Sequence, residues 1–243
     1  MKIKPCLHFL GLSCFPISIM SLINIFYTYY FNYLDNLESY FLVLVLSLLT
    51  GLVFFKLGKK EGENITIYEQ FFLIFLVYFF LPFFILIPFY FSNYDISLID
   101  SYFESISGLT GTGFTILNVV SNLDDPLILW RSSSQWVGGL YFLIFLLLVF
   151  SDKQYDYKLI GLSATPNINL SSEENLKKRI IYISSVYTLL TFLIFMLLNF
   201  SNIRLFNSLN LSMTLVSNGG FLPSNSLDLI IKTFFQKITL SFS

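Results

Sequence analysis

Charge is scarce in this chain of 243 residues: Asp, Glu, Lys and Arg make up 12% of it, against about 25% in a soluble globular domain. Water is therefore excluded as its main solvent. Histidine is almost absent. The single His8 excludes a histidine metal cluster and leaves no imidazole base elsewhere in the chain. Cysteine is nearly as rare. Cys6 and Cys14 share one apolar run, which on a helix places them about 12 Å apart along the axis, too far to bridge. They are expected to be small buried thiols. The formal net charge of −1 says little, because charge placement matters more than its sum in an apolar chain.

What the sequence does have is apolar length. Hydrophobic residues account for 55%, Phe (29) and Tyr (15) supply most of the aromatics, and the mean hydropathy is +0.72. Such composition suits side chains that face lipid and sit at its interfaces. Lys2 and Lys4 ahead of an apolar run could open a signal peptide, but the uncharged run continues over residues 5–34, about twice the length of a signal core, without a small-x-small cleavage site. Leu12-Ser13-Cys14 is a weak lipoprotein-like box that the continuing apolar sequence argues against. The segment is read as an uncleaved span, with His8 at headgroup level near its cytoplasmic end.

Residues 5–34, 39–55, 71–93 and 180–203 are each long enough to cross a hydrocarbon core of about 30 Å at about 1.5 Å per helical residue. A fifth span covers 132–151, entered from about residue 127. Pro16, Pro82 and Pro88 fall inside spans, where kinks are tolerated. With the N-terminus cytoplasmic, Lys2, Lys4, Lys56, Lys59, Lys60, Lys153, Lys158, Lys177, Lys178 and Arg179 all lie inside, ten of the fourteen basic residues. The loops at 35–38 and 92–100 then lie outside, with acids and no bases, as the positive-inside rule requires.

Residues 98–115 and 205–221 break this pattern. Each follows an outward-going span, is moderately apolar, is rich in Ser and Thr, ends in Gly, and is too short to cross. A segment that dips into the membrane and returns satisfies these features, provided its irregular backbone lines a water-filled cavity. A shift of 107 residues lays Asp100-Ser-Tyr-Phe-Glu-Ser-Ile-Ser-Gly-Leu-Thr-Gly-Thr-Gly-Phe114 over Asn207-Ser-Leu-Asn-Leu-Ser-Met-Thr-Leu-Val-Ser-Asn-Gly-Gly-Phe221. Ser101/Ser208, Ser105/Ser212, Gly113/Gly220 and Phe114/Phe221 are identical. The same shift carries the span at 71–93 onto 178–200. The unit is helix, loop, helix, present twice. Applied to the helix at 127–150, the shift predicts a partner at 234–257, of which the sequence holds about ten residues, made polar by Lys232, Gln236 and Lys237.

A helix, a short helix and a glycine-containing return is how a cation filter is built, because backbone carbonyls must replace the ion's hydration shell. Gly113 and Gly220 are the expected left-handed positions, where an L-side chain costs about 1–2 kcal/mol. Thr110, Gly111, Thr112 and Phe114, and Ser217, Asn218, Gly219 and Phe221, would offer carbonyls or hydroxyls along the ion's path. The plainer alternative, ordinary Gly/Ser turns between helices, is weakened by the two copies.

These residues resemble the Trk/Ktr/HKT potassium transporter family (TrkH-like). The run from Asp100 to Thr115 resembles its first filter loop, and Ser217-Asn-Gly-Gly-Phe221 its second. Leu129-Trp-Arg-Ser-Ser-Ser-Gln-Trp-Val-Gly-Gly139 resembles the Arg-x-x-x-Gln-Trp-x-Gly-Gly run that opens the next helix. The resemblance covers essentially the whole chain, as the N-terminal half of such a subunit. It implies an all-α polytopic membrane protein: an N-terminal transmembrane pair at 1–60, a first potassium-channel-like helix–pore loop–helix repeat at 61–157, and a cytoplasmic connector with a truncated second repeat at 158–243. It further implies four repeats around one pore, K+ as the transported ion with Na+ as the alternative, no cofactor, a homodimer, a cytoplasmic nucleotide-binding regulatory subunit, a C-terminal half beyond this sequence, and a bacterial inner-membrane location. Gly111 departs from the Thr usual in the family, which removes a side chain beside the filter and would loosen selectivity for K+ over Na+.

Glu104 on the short helix and Arg131 on the helix that follows have two readings. They brace the filter, or Arg131 snorkels to the outer interface while Glu104 faces water; a charge near the bilayer centre costs at least about 2.5–3.5 kcal/mol. The charged segment 151–179 is a solvated connector or a contact for the regulatory subunit. An intramembrane hydrolase using Ser105 or Ser107 would need a base, and His8 lies on the wrong side, so no enzyme is expected. A non-conducting fragment of a transporter is the alternative to a conducting subunit.

Overall fold

A computed structural model describes residues 3–58, 66–117, 119–150, 172–231, 233 and 236–237, and among them secondary structure is entirely helical. Among the described residues five helices are long and apolar enough to cross a membrane. The connector at 151–171, and all but Gln236 and Lys237 of the sequence from residue 234 onward, lie outside the described residues, as do Lys2, Lys59 and Lys60.

Helices α1 (Ile3–Tyr30) and α2 (Leu37–Gly58) form a hairpin. Small residues let the two backbones approach, as they do between membrane helices. A Cβ on Gly11 would lie 2.6 Å from the Phe55 nitrogen, and one on Gly58 would run into the backbone of His8. Ser18 and Ser47 share a hydroxyl hydrogen bond of 2.7 Å across this seam. His8 is half-buried, its Nδ1 3.3 Å from the Phe55 carbonyl. Cys6 and Cys14 are buried free thiols that point at the carbonyls of Glu69 and Leu10.

The next span is broken in two, α3 (Ile67–Phe80) and α4 (Pro82–Tyr90). Pro82 has no N–H for the carbonyl one turn back, so a new helix starts there with proline at its first position. Helix α5 (Leu98–Thr110) is set off by Ser97, whose hydroxyl accepts the Asp100 N–H at 3.2 Å. Its 13 residues reach about 20 Å, too little to cross. The long helix α6 (Asp125–Phe150) follows, then α7 (Ser172–Phe200) and the short α8 (Leu205–Val216).

The repeat is visible in these bounds. Leu98, which opens α5, and Leu205, which opens α8, are separated by the 107-residue shift read from the sequence. The fifth span begins at Asp125 rather than at 127, because the Asp124 carbonyl already accepts the N–H groups of Leu127 and Ile128.

Helix α6 positions everything else. It packs against α1, α3, α4, α5, α7 and α8, and Trp130 donates its indole N–H to the Ile85 carbonyl of α4 at 2.9 Å. At the α5 crossing a Cβ on Gly138 would overlap the Leu109 carbonyl oxygen and lie 2.6 Å from its carbon. Backbone cannot yield as a flexible side chain can. Gly138→Ala is therefore expected to cost about 1–3 kcal/mol, the range for overpacking, and to lower the melting temperature of the detergent-solubilised protein by several degrees. An unchanged melting temperature would refute this account of the crossing.

Candidate functional site

Two irregular returns follow the short helices, residues 111–117 after α5 and 217–223 after α8, and they meet. A Cβ on Gly113 would lie 2.6 Å from the Gly220 nitrogen and closer still to its Cα, while one on Gly220 would lie 3.0 Å from the Gly113 Cα. A side chain at Gly113 has no room against the Gly220 backbone, while one at Gly220 would press more lightly on the Gly113 Cα.

The equivalence of the returns extends to single hydrogen bonds. Ser107 donates its hydroxyl to the Phe114 carbonyl at 2.5 Å, and Thr214 donates to the Phe221 carbonyl at 2.8 Å. Donor and acceptor are seven residues apart in each case, and the two bonds are related by the same 107-residue shift. Ser105 donates to the Ser101 carbonyl at 2.6 Å. Both hydroxyls considered above as nucleophiles are thus spent on backbone.

The left-handed positions differ from expectation. Gly113 has φ +73, but Gly220 is not in the left-handed region. Gly111 (φ +69) and Asn218 (φ +51) are, and these two are equivalent under the shift. Each turns the chain just after its short helix, a position where glycine and asparagine are the residues that tolerate left-handed angles. Gly111 is thereby explained by its backbone: a Cβ there would meet only the Ser217 carbonyl oxygen, at 3.8 Å.

Thr110 and Ser217 donate their hydroxyls to the Ile106 and Thr214 carbonyls of their own helices at 2.7 and 3.1 Å. Thr112 is exposed and lies 3.1 Å from the Ser107 hydroxyl. Gly220 and Asn218 are exposed, and Gly219 is half-buried. The two aromatics part company. Phe114 is 72% exposed and Phe221 only 1%.

Arg131 and Glu104 form a buried pair, each 1% exposed, with Nη2 to Oε1 at 2.8 Å and Nε to Oε1 at 2.8 Å. Neither side chain is turned to solvent or to an interface; the two are paired inside the protein. Burial of both charges is compensated by further bonds. Glu104 accepts the Thr115 hydroxyl at 2.9 Å and the Ile116 N–H at 3.3 Å, and Arg131 donates to Thr115 Oγ1 at 3.1 Å. Arg131 also reaches the other return, with Nη1 3.5 Å from the Leu222 carbonyl and the guanidinium 4.1 Å from the centre of the Phe221 ring.

Gln135, one turn further along α6, was singled out in the sequence only as part of the run from Leu129 to Gly139. Its Oε1 accepts the Phe221 N–H at 3.1 Å. Nothing in the sequence pairs a residue of the first repeat with the second; the signal available was its i+4 spacing from Arg131, which puts both on one helix face. A further cross-repeat tie lies beyond these, where Asn225 Oδ1 accepts the Val120 and Ser121 N–H groups at 2.7 and 3.2 Å.

Outside the spans, burial pushes the Asp124 carboxyl above its ordinary range, opposed by hydrogen bonds from its own backbone and from Tyr94. Among the described residues no cluster of carboxylates, imidazoles or thiols stands ready for a metal ion. The two returns carry no acidic side chain, so the oxygens they can offer are those of backbone carbonyls, hydroxyls and the Asn218 amide, donors of the kind that suit a hard cation.

No family model matches the chain. Over 229 residues, 92% of its length, the chain is 31% identical to an uncharacterized cation transporter of Methanocaldococcus jannaschii, of which it covers 46%. Over 84 residues, 34% of the chain and 17% of the relative, it is 33% identical to the Trk system potassium uptake protein TrkH of Escherichia coli. In fold the whole chain matches 49% of the crystal structure of the potassium transporter TrkH from Vibrio parahaemolyticus, with a TM-score of 0.80 at 18% identity. The chain spans about half the length of the first relative and of the matching structure.

Proposed function

Since the chain belongs to the Trk-type potassium transporter family, we propose that it is a membrane permeation subunit for K+, contributing two of the loops that form an ion filter. The observation that carries this reading is the meeting of Gly113 and Gly220 at the ends of two equivalent short helices. Carbonyls of 110–114 and 217–220 replace part of the ion's hydration shell, and each site holds the ion weakly enough to pass it on. Thr110, Gly111, Thr112, Gly113 and Phe114 form one side, and Ser217, Asn218, Gly219 and Gly220 the other, with Glu104 and Arg131 bracing both.

The 72% exposure of Phe114 supports a companion reading, that the first return needs a further wall from outside this chain before anything conducts. The remaining assignments follow the family resemblance: a C-terminal half with two more loops, a homodimer, a cytoplasmic nucleotide-binding regulatory subunit, and an inner-membrane location with the N-terminus inside. The units at 1–60, 61–157 and 158–243 are proposed on the same basis.

Rb+ uptake in potassium-uptake-deficient cells tests this. Uptake is expected when the chain is expressed together with a C-terminal half from a Trk-type relative. Uptake by the chain alone would sink the need for a further wall, and no uptake in either arrangement would sink the permeation reading.

A further inference from the structure

The two returns are alike at their carbonyl ends and unlike at their N–H ends. Phe114 and Phe221 each accept a hydroxyl from the helix before them. Only Phe221 has its N–H held by a side chain, the Gln135 oxygen at 3.1 Å; among the described residues no side chain meets the Phe114 N–H. Gln135 comes from the first repeat and is fully buried. Its amide packs directly on the second return: a Cβ on Gly219 would overlap Oε1 and sit 2.9 Å from Nε2.

Peptide planarity gives this bond a consequence. The Phe221 N–H and the Gly220 C=O belong to one trans peptide unit, so they point in opposite directions. Holding the N–H toward α6 turns the Gly220 carbonyl away from α6. The same side chain carries a cost, because Gln135 Nε2 is buried with no partner and an unsatisfied amide donor is expensive. Leu or Met would fill the space without that cost but could not accept the N–H.

We propose that Gln135 is a positioning residue that aims the Gly220 carbonyl and thereby sets the ion preference of the second return from the first repeat. This rests on the permeation reading above. It places ion preference partly in a side chain that never touches the ion.

The test uses the arrangement that supports Rb+ uptake, with Na+ as competitor and immunoblots of membrane protein as the control for expression. Q135L, which removes the acceptor, is expected to let Na+ compete about tenfold better, the scale set by one hydrogen bond. Q135E keeps an acceptor oxygen at the same reach and is expected to retain the original preference. Should Q135L fail to accumulate, Q135N carries the test, since it withdraws the oxygen by one methylene and is expected to shift the ratio in the same direction. An unchanged Na+ competition ratio in whichever of these two accumulates, or a Q135E ratio shifted as far as theirs, would overturn the inference. A lack of Rb+ uptake by the unsubstituted protein would instead overturn the permeation reading and this inference with it.

Discussion

Gly113→Ala is expected to reduce Rb+ uptake by about a hundredfold while the protein still reaches the membrane, a loss that corresponds to just under 3 kcal/mol. Two costs combine to reach it. At φ +73 an L-side chain costs about 1–2 kcal/mol, and the new Cβ must push the Gly220 backbone aside, at about 1–3 kcal/mol. Both fall on the carbonyls that are to meet the ion. Gly220→Ala incurs only the second cost, and its Cβ would stand 3.0 Å from the Gly113 Cα, so its loss of uptake is expected to be about tenfold smaller. Gly111→Asn should be nearly silent, because Asn218 already occupies the equivalent left-handed position at φ +51 and the space beside Gly111 is open. The order of uptake, G111N above G220A above G113A, checks the argument. G220A losing as much as G113A would refute it.

That ranking also marks what was legible in the sequence. The spans follow from apolar length and the returns from their polarity and shortness, and the 107-residue shift survives down to the Ser107 and Thr214 hydroxyl bonds. The break at Pro82 could be anticipated from proline chemistry. The assignment of left-handed angles could not. Gly111 and Gly113 are equally permissive on paper, and only the folded turn after α5 shows both to be in that region while Gly220 is not. Contacts across the repeats were equally hidden. Gln135 and Asn225 bind backbone N–H groups 86 and 105 residues away, and a backbone partner leaves no mark in the identity of the residue that supplies it.

The Glu104–Arg131 pair gives the other large expected effect. Removing one partner of a buried ion pair strands the other charge and costs about 3–5 kcal/mol, enough to unfold a marginal protein. Arg131→Met is expected to be the more damaging single change, since it leaves the Glu104 carboxylate, 1% exposed, with only Thr115 and Ile116 as donors. Glu104→Gln should be milder, because Arg131 keeps Thr115, the Leu222 carbonyl and the Phe221 ring. Replacing both, as Glu104→Gln with Arg131→Met, removes both charges and is expected to recover most of the folded protein lost in Arg131→Met, measured by thermal melting in detergent. Recovery of fold should not bring recovery of uptake. The double variant still lacks the Arg131 side chain, which bonds both Thr115 of the first return and Leu222 of the second, so the two returns lose this common tie. A double variant no more stable than Arg131→Met would show that the pair is not what holds this region. One that regained full uptake would show that the brace between the returns is dispensable.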